Sequence, residues 1–192
     1  MSDFNISSFL LSIMNRSFQF FDYEQCYKHY TKRIETIRQH RIHGEIIVAK
    51  PVLMLAIIEA INNEIFTNNK FVINDWLEGR YKMLMSQYAK DSQFDGTTEI
   101  DKPFWHLESD GFWHLNYQGE RLSKSKTPSK AWLKENVEFA CFDEELWILL
   151  QKKVWRQMLH DYIVEHKLSD DHWLGRIAAE SLGAIAVLLL SA

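Results

Sequence analysis

Pro103-Phe104-Trp105-His106-Leu107-Glu108-Ser109-Asp110-Gly111-Phe112-Trp113-His114-Leu115 nearly repeats itself: Phe-Trp-His-Leu, a polar turn, then Phe-Trp-His-Leu again. Aromatic residues favour a pleated, half-buried surface. Ser109-Asp110-Gly111 supplies turn chemistry, with Gly111 free to take positive φ. The stretch predicts a β-hairpin with Leu107 and Phe112 near the bend. Alternation places Phe104 and His106 on one face and Trp105 and Leu107 on the other. One face closes a core. The other offers aromatic and imidazole groups beside Pro103, whose fixed φ pins the start of the strand. A core hairpin with a polar outer side is the plainer reading of the same residues.

Outward from this stretch, 192 residues bound the chain to one domain, or one domain with an appendage. Apolar residues make up 46% and aromatic residues 14%, enough for a core and against disorder. The formal charge is -4, so nucleic-acid binding has to come from local patches rather than from net charge. Cys26 and Cys141 show no ligand spacing and sit among aromatic residues, as buried thiols of a cytosolic protein do. The N-terminus has no basic region or cleavage site. The apolar tail from Leu182 to Leu190 is too short to span a bilayer. A cytoplasmic location away from membranes is expected.

Residues 1–44 read as a helical segment. Ser7, Phe9 and Leu10 suit a short helix, and Asp22 caps another that carries Tyr23, Cys26, Tyr27 and Tyr30. The run from Lys28 to Arg41 is basic, and Ile34 and Ile37 lie one helical turn apart, as in an amphipathic helix with a solvated cationic side. His40 and His43 lack a companion carboxylate or thiol pattern and do not make a metal site. Lys50-Pro51 opens the strongest helix. Pro51 suits the first helical position, where its missing N–H costs nothing. The run Val52 to Ile61 is apolar nearly all round, which predicts a central helix. Its start carries free N–H groups, the positive dipole end and the Lys50 charge, a combination that suits a phosphate.

Phe71 to Ile73 reads as a short strand, and Asn74 or Asp75 caps a helix whose Leu77, Tyr81, Leu84 and Tyr88 share a face. Asp91 to Glu99 is a polar loop. After the hairpin, Arg121, Lys124, Lys126, Lys130 and Lys134 form a cationic stretch without acids, with serines and Pro128 between, of the kind that tracks a phosphate backbone. A solvated loop explains it equally well. Val137 to Phe142 reads as a strand. Asp143 caps a helix whose stripe of Leu146, Leu149, Leu150, Val154, Met158 and Ile163 runs on towards Lys167, with room for a break. Residues 168–192 predict an apolar C-terminal helix with small residues at Ala178, Ala179, Gly183 and Ala184, suited to a close helix contact or a dimer seam.

Catalytic motifs are missing from the sequence. It has no phosphate-binding Gly-rich loop, no dinucleotide fingerprint and no nucleophile elbow. His160, His166 and His172 fall on different helix faces, and the acids Glu99, Asp101, Glu108 and Asp110 have no partner pattern for a metal. No cofactor and no metal are expected.

Several of these motifs, in this order, resemble a known family. They are Lys50-Pro51 with the aliphatic run, Pro103-Phe104-Trp105-His106-Leu107, Ser109-Asp110-Gly111-Phe112-Trp113, and Asp143-Glu144-Glu145-Leu146-Trp147 followed by a helix with Arg156. The chain resembles, over residues 45–167, the sulfur-recognising domain that precedes the HNH nuclease in McrA-like type IV restriction endonucleases. The resemblance implies an α+β, mostly α fold, with helices packed around a small antiparallel hairpin or sheet. It implies binding of DNA in which sulfur replaces one non-bridging phosphate oxygen. A sulfur reader needs an apolar cup beside cationic anchors, because burying an oxygen without a partner costs about 1–3 kcal/mol. By position, the ring of Pro103 would wall the cup, Lys50 beside Pro51 would supply a cation, and His106 would line the site. Arg121, Lys124, Lys126 and Lys130 would grip neighbouring phosphates. Lys102, where relatives often carry an aromatic residue, joins the cationic set, and Ala49 stands where many carry histidine.

The 25 residues after Lys167 are fewer than an HNH module needs, so cutting is expected from a separate nuclease partner. The leading expectation is a non-catalytic DNA-binding module. The alternatives are a structural or regulatory protein of the same fold that dimerises through its C-terminal helix, and, third, a metal-dependent nuclease resting on the acidic cluster.

Overall fold

The computed structural model describes residues 22–42, 45–89, 98–119 and 127–169. The early helix at Ser7, the loop from Asp91, the cations Arg121, Lys124 and Lys126, His43, His172 and the C-terminal helix beyond 169 lie outside these residues.

The chain folds as expected into a mostly α, α+β protein. Helix α1 (Tyr23–Glu35) starts at Asp22, whose carboxylate accepts the Glu24 N–H at 2.9 Å. A two-residue ladder, β1 (Arg41–Ile42) against β2 (Glu45–Ile46), leads into α2 (Ala49–Asn62). Helix α3 (Asp75–Tyr88) is capped by Asn74, which accepts the Leu77 N–H at 2.8 Å. A short helix α4 (Asp101–His106) runs into a 3₁₀ turn (Leu107–Asp110) and then strand β3 (Trp113–Tyr117). Helix α5 (Lys130–Asn136) precedes strand β4 (Val137–Phe142), and α6 (Glu144–Gln151) and α7 (Lys153–Ile163) end in a π turn (Val164–Leu168).

Helix α2 is the axis. An apolar surface on every side has nowhere to go but inside, and Val52 to Ile58 are buried without a break. Side chains of this kind each contribute about 1.5–3 kcal/mol when fully buried. Helices α3, α4 and α7 pack around α2, while α1 lies across α6 and α7. The helix begins at Ala49 rather than at Pro51. Pro51 occupies the third helical position, still inside the first turn, where no intrahelical N–H bond is needed.

The expected hairpin does not form. The two Phe-Trp-His-Leu copies take different conformations. Phe104 to His106 lie in α4 and Leu107 starts the 3₁₀ turn, whereas Trp113 to Leu115 lie in β3. The partner of β3 is β4, antiparallel, with Trp113 opposite Phe142 and Leu115 opposite Ala140. Pro103 lacks the N–H that a ladder requires but fits the first turn of a helix. Gly111 does adopt positive φ, at 82°, and ends the 3₁₀ turn. The indole N–H of Trp113 donates to the Phe104 carbonyl at 2.9 Å, so the strand copy locks onto the helix copy. Trp113 also stacks on Phe71 with ring centroids 5.5 Å apart.

Three smaller expectations are corrected. Phe71 makes one bridge, to Ala140, rather than a strand through Ile73. The downstream members of the cationic stretch, Lys130 and Lys134, are helical rather than in a loop, since α5 begins at Lys130. The stripe along α6 and α7 breaks at Lys152, which has extended backbone; the resulting change of phase exposes Val154 and Met158 and buries Leu159 and Ile163.

Candidate nucleic-acid interface

Of the sequence-predicted groups, Lys102, Pro103 and His106 lie on α4. Asp101 occupies its first turn, where the positive end of the helix favours an acid. Phe104 and Leu107, three apart, turn inward, while Lys102 and His106 stand exposed. Pro103 is buried, so its ring does not face solvent as a wall.

Lys50, at the start of α2, does not present a free charge. Its ammonium lies 2.6 Å from Asp110 Oδ2, with side-chain exposures of 13% and 4%. The other carboxylate oxygen of Asp110 accepts the backbone N–H of Arg38 at 3.0 Å. One residue on, the Gly111 carbonyl accepts from Arg33 Nη1 at 3.0 Å, and Arg33 Nε donates to His29 Nε2 at 3.0 Å. That last bond needs an unprotonated His29 Nε2. Burial first, and the Arg33 charge second, hold His29 below its ordinary pKa. The basic run of α1, which reads as a solvated face, thus supplies Arg33 to the same corner as Lys50, and Arg38, beyond the helix, contributes its backbone N–H there.

His106 marks the edge of this corner. Its Nε2 lies 2.9 Å from Thr127 Oγ1, the first described residue after Arg121, Lys124 and Lys126. Burial, then the nearby Lys50 charge, hold the imidazole below its ordinary pKa and so neutral at neutral pH. At the other end of α4, Lys130 pairs with Glu78 at 2.6 Å and lies within the fields of Glu99 and Asp101. The structure therefore brings together Lys50, Lys102, Pro103, His106 and the downstream end of the basic stretch. Lys130, at the start of α5, is paired with Glu78 of α3, and Pro51 is buried. Sequence reading missed Asp110 and Arg33 as members. Asp110 reads as turn chemistry, and nothing local links it to a lysine 60 positions earlier.

A second polar cluster ties α1 to the sheet. His114 Nε2 lies 2.6 Å from Asp143 Oδ1, and the Tyr30 hydroxyl donates to Asp143 Oδ2 at 3.0 Å. Asp143 stands at the start of α6 but makes no side-chain cap bond; both of its oxygens are engaged by these neighbours. Among the described residues no three His, Cys, Asp or Glu side chains gather as metal ligands, and no helix is long and apolar enough to cross a membrane.

The family model described as ScoMcrA-like, DNA sulfur-binding domain matches residues 27–174, about three quarters of the chain, and the chain belongs to that family. Membership carries a DNA-binding role. No curated protein matches the chain.

Proposed function

We propose that this chain is a non-catalytic, cytoplasmic reader of phosphorothioate-modified DNA, which marks such DNA for a separate nuclease in a restriction or defence system. The observation that carries the reading is the convergence at α4, in a member of the sulfur-binding family. Lys102 and His106 share α4, the Lys50 charge lies near His106, and His106 touches Thr127, the residue that follows the basic stretch. Lys102, His106, Arg121, Lys124 and Lys126 hold phosphates, and Lys130 does so once released from Glu78. Buried Pro51 and Pro103 act from beneath, as rigid apolar support for the surface that meets sulfur. Sulfur is larger and a weaker acceptor than oxygen, so a poorly hydrated surface next to cations favours it. The cations bind the phosphate in either case.

Fluorescence anisotropy with paired duplexes, plain and carrying one phosphorothioate, tests this. The modified duplex binds tighter, and Lys102→Ala and Lys124→Ala weaken both duplexes and flatten the salt dependence. Equal affinity for the two duplexes removes the sulfur reading. No binding at low salt removes the DNA reading and leaves an interaction protein that dimerises through residues 168–192, which sedimentation would detect.

A further inference from the structure

Helix α3 turns Leu77, Tyr81, Leu84 and Met85 inward. The outer side of such a helix is ordinarily polar. Here Met83 is 63% exposed, and the half-buried Trp76 lies two turns before it on the same side. Gly79 stands exposed between them. Glycine weakens a helix interior relative to alanine. The fold itself does not ask for one here, because a Cβ on Gly79 would meet no atom within 4 Å. Beside it, a cleft of about 720 Å³ opens between α3 and α7, over Ile58 and Asn62 of α2. Arg80 and Glu59 pair in its floor, Nη2 to Oε1 at 2.9 Å, so the floor is neutralised from within and does not call for an ionic ligand. Arg156 and Gln157 of α7 form the far rim.

The outer residues of α3 are arranged symmetrically about Gly79. Asp75 and Trp76 lie four and three positions before it, and Lys82 and Met83 lie three and four after it. At about 3.6 residues per turn, Gly79 falls near the midline of the outer face. Asp75 and Lys82 then lie on one flank, and Trp76 and Met83 on the other. Such a face is complementary to itself. A two-fold axis that crosses α3 at Gly79 brings in a second α3 antiparallel to the first. Asp75 then meets the partner's Lys82, acid against base. On the other flank Trp76 meets the partner's Met83, a favourable contact between an aromatic ring and a thioether sulfur. Lys82 is 58% exposed and bonds Glu78, one turn away, at 3.2 Å. An exposed pair of this kind contributes little, so the ammonium can turn to a facing carboxylate.

We propose that α3 is the seam of a symmetric dimer, and that its occupant is a second copy of this chain. Gly79 sits where the two helices cross, and its missing side chain lets the backbones approach closely. One patch serves both copies, as a two-fold interface requires. Arg156 and Gln157 supply a polar rim. The seam uses none of residues 168–192 and does not depend on the DNA reading.

Sedimentation velocity on the full chain, over a wide range of concentration, tests this. The parent protein shows a monomer–dimer equilibrium. Gly79→Arg sets two like charges on the axis and fills the crossing, so it weakens the dimer many-fold. The same change replaces a helix glycine by a good helix former in open space, so its urea midpoint does not fall. Loss of the dimer is thereby separated from loss of the fold. Asp75→Lys and Lys82→Asp each weaken the dimer severalfold, and the double variant recovers it. A parent protein that stays monomeric throughout, a dimer that Gly79→Arg leaves intact, or a double variant no better than the single ones overturns the proposal.

Discussion

Lys50 and Asp110 form an ion pair of 2.6 Å that is almost wholly removed from solvent, so the cation at the head of the central helix is already neutralised from within. Removing one member of a buried pair leaves an uncompensated charge and costs about 3–5 kcal/mol, whereas replacing both members is often close to neutral. Lys50→Ala is expected to fall in that range by urea unfolding. The double substitution Lys50→Met with Asp110→Asn recovers most of the loss, because the amide oxygen still accepts the Arg38 N–H. Asp110→Asn alone also removes the anion that competes with phosphate for Lys50, so it tightens DNA binding. Unchanged affinity in that variant would show that Lys50 does not contact DNA.

Gly111 is held at φ 82°, and a Cβ there would lie 3.0 Å from Arg33 Nη1. The left-handed conformation costs an L-residue about 1–2 kcal/mol. Gly111→Ala is expected to lose about that much by urea unfolding, with a further loss where Arg33 is pushed off the Gly111 carbonyl. A variant as stable as the parent would mean that the turn relaxes freely.

This turn also shows where sequence reading succeeds and where it stops. The positive φ of Gly111 was legible because few other residues fit the Ser109-Asp110-Gly111 turn. Helix α2 was legible because its run is apolar on all sides, and α1 and α3 because Asp22 and Asn74 cap them. The two Phe-Trp-His-Leu copies were not. Strand preference in aromatic residues measures packing on a neighbouring strand rather than a backbone bias. The neighbour of β3 lies some 20 residues further on, in β4, and the first copy has no strand to join. The cationic corner was half legible. Lys50, Lys102 and His106 were marked by charge and position, but Asp110 and Arg33 join it only through long-range folding.

Cys26 offers a probe of the packing between α1 and α6. Burial, aided by the Glu145 charge, pushes its thiol up to about 12, and its Sγ lies 3.5 Å from the Glu145 carbonyl. The thiolate is the reactive form, so native Cys26 should resist maleimide at about pH 8 and react only on unfolding. Mass spectrometry after brief labelling, with and without urea, reads this directly. Rapid native labelling at Cys26 would mean that α1 separates from α6.

The His114–Asp143 pair sets a pH window. The hydrogen bond to Asp143 raises the pKa of His114 above its ordinary 6.5, against burial. A raised histidine contributes stability that is complete below 6.5 and is lost as pH climbs through its folded value. For Asp143 burial acts upward, but the bonds from His114 and Tyr30 outweigh it and its pKa lies below 3.8. That contribution is complete above 3.8 and is lost as pH falls through the folded value. Both are present together between these limits. With the His114 side chain 51% exposed, solvent screening limits its share to at most about 1 kcal/mol. Because His29 and His106 titrate with the opposite sign, the quantity to measure is the difference between the parent and His114→Gln. That difference should shrink from about pH 6 to about pH 8. A constant difference would remove the pair from the pH response.

His106 should couple protons to DNA. Burial and Lys50 keep it neutral in the free protein. A phosphate brought against it favours the charged imidazolium, so binding takes up a proton and tightens as pH falls. The same protonation destabilises the free fold, which makes binding and stability move in opposite directions, unlike a general loosening of the structure. Each phosphate neutralised adds about 0.9 to the slope of log affinity against log salt. The slope should therefore be steeper by nearly that amount at about pH 5.5 than at about pH 8. In His106→Gln, which retains a hydrogen-bonding group for Thr127 but cannot charge, the two slopes should coincide. Equal slopes at both pH values in the parent protein would place His106 away from the phosphate path and leave Lys102 and the basic stretch ahead of Thr127 as its carriers.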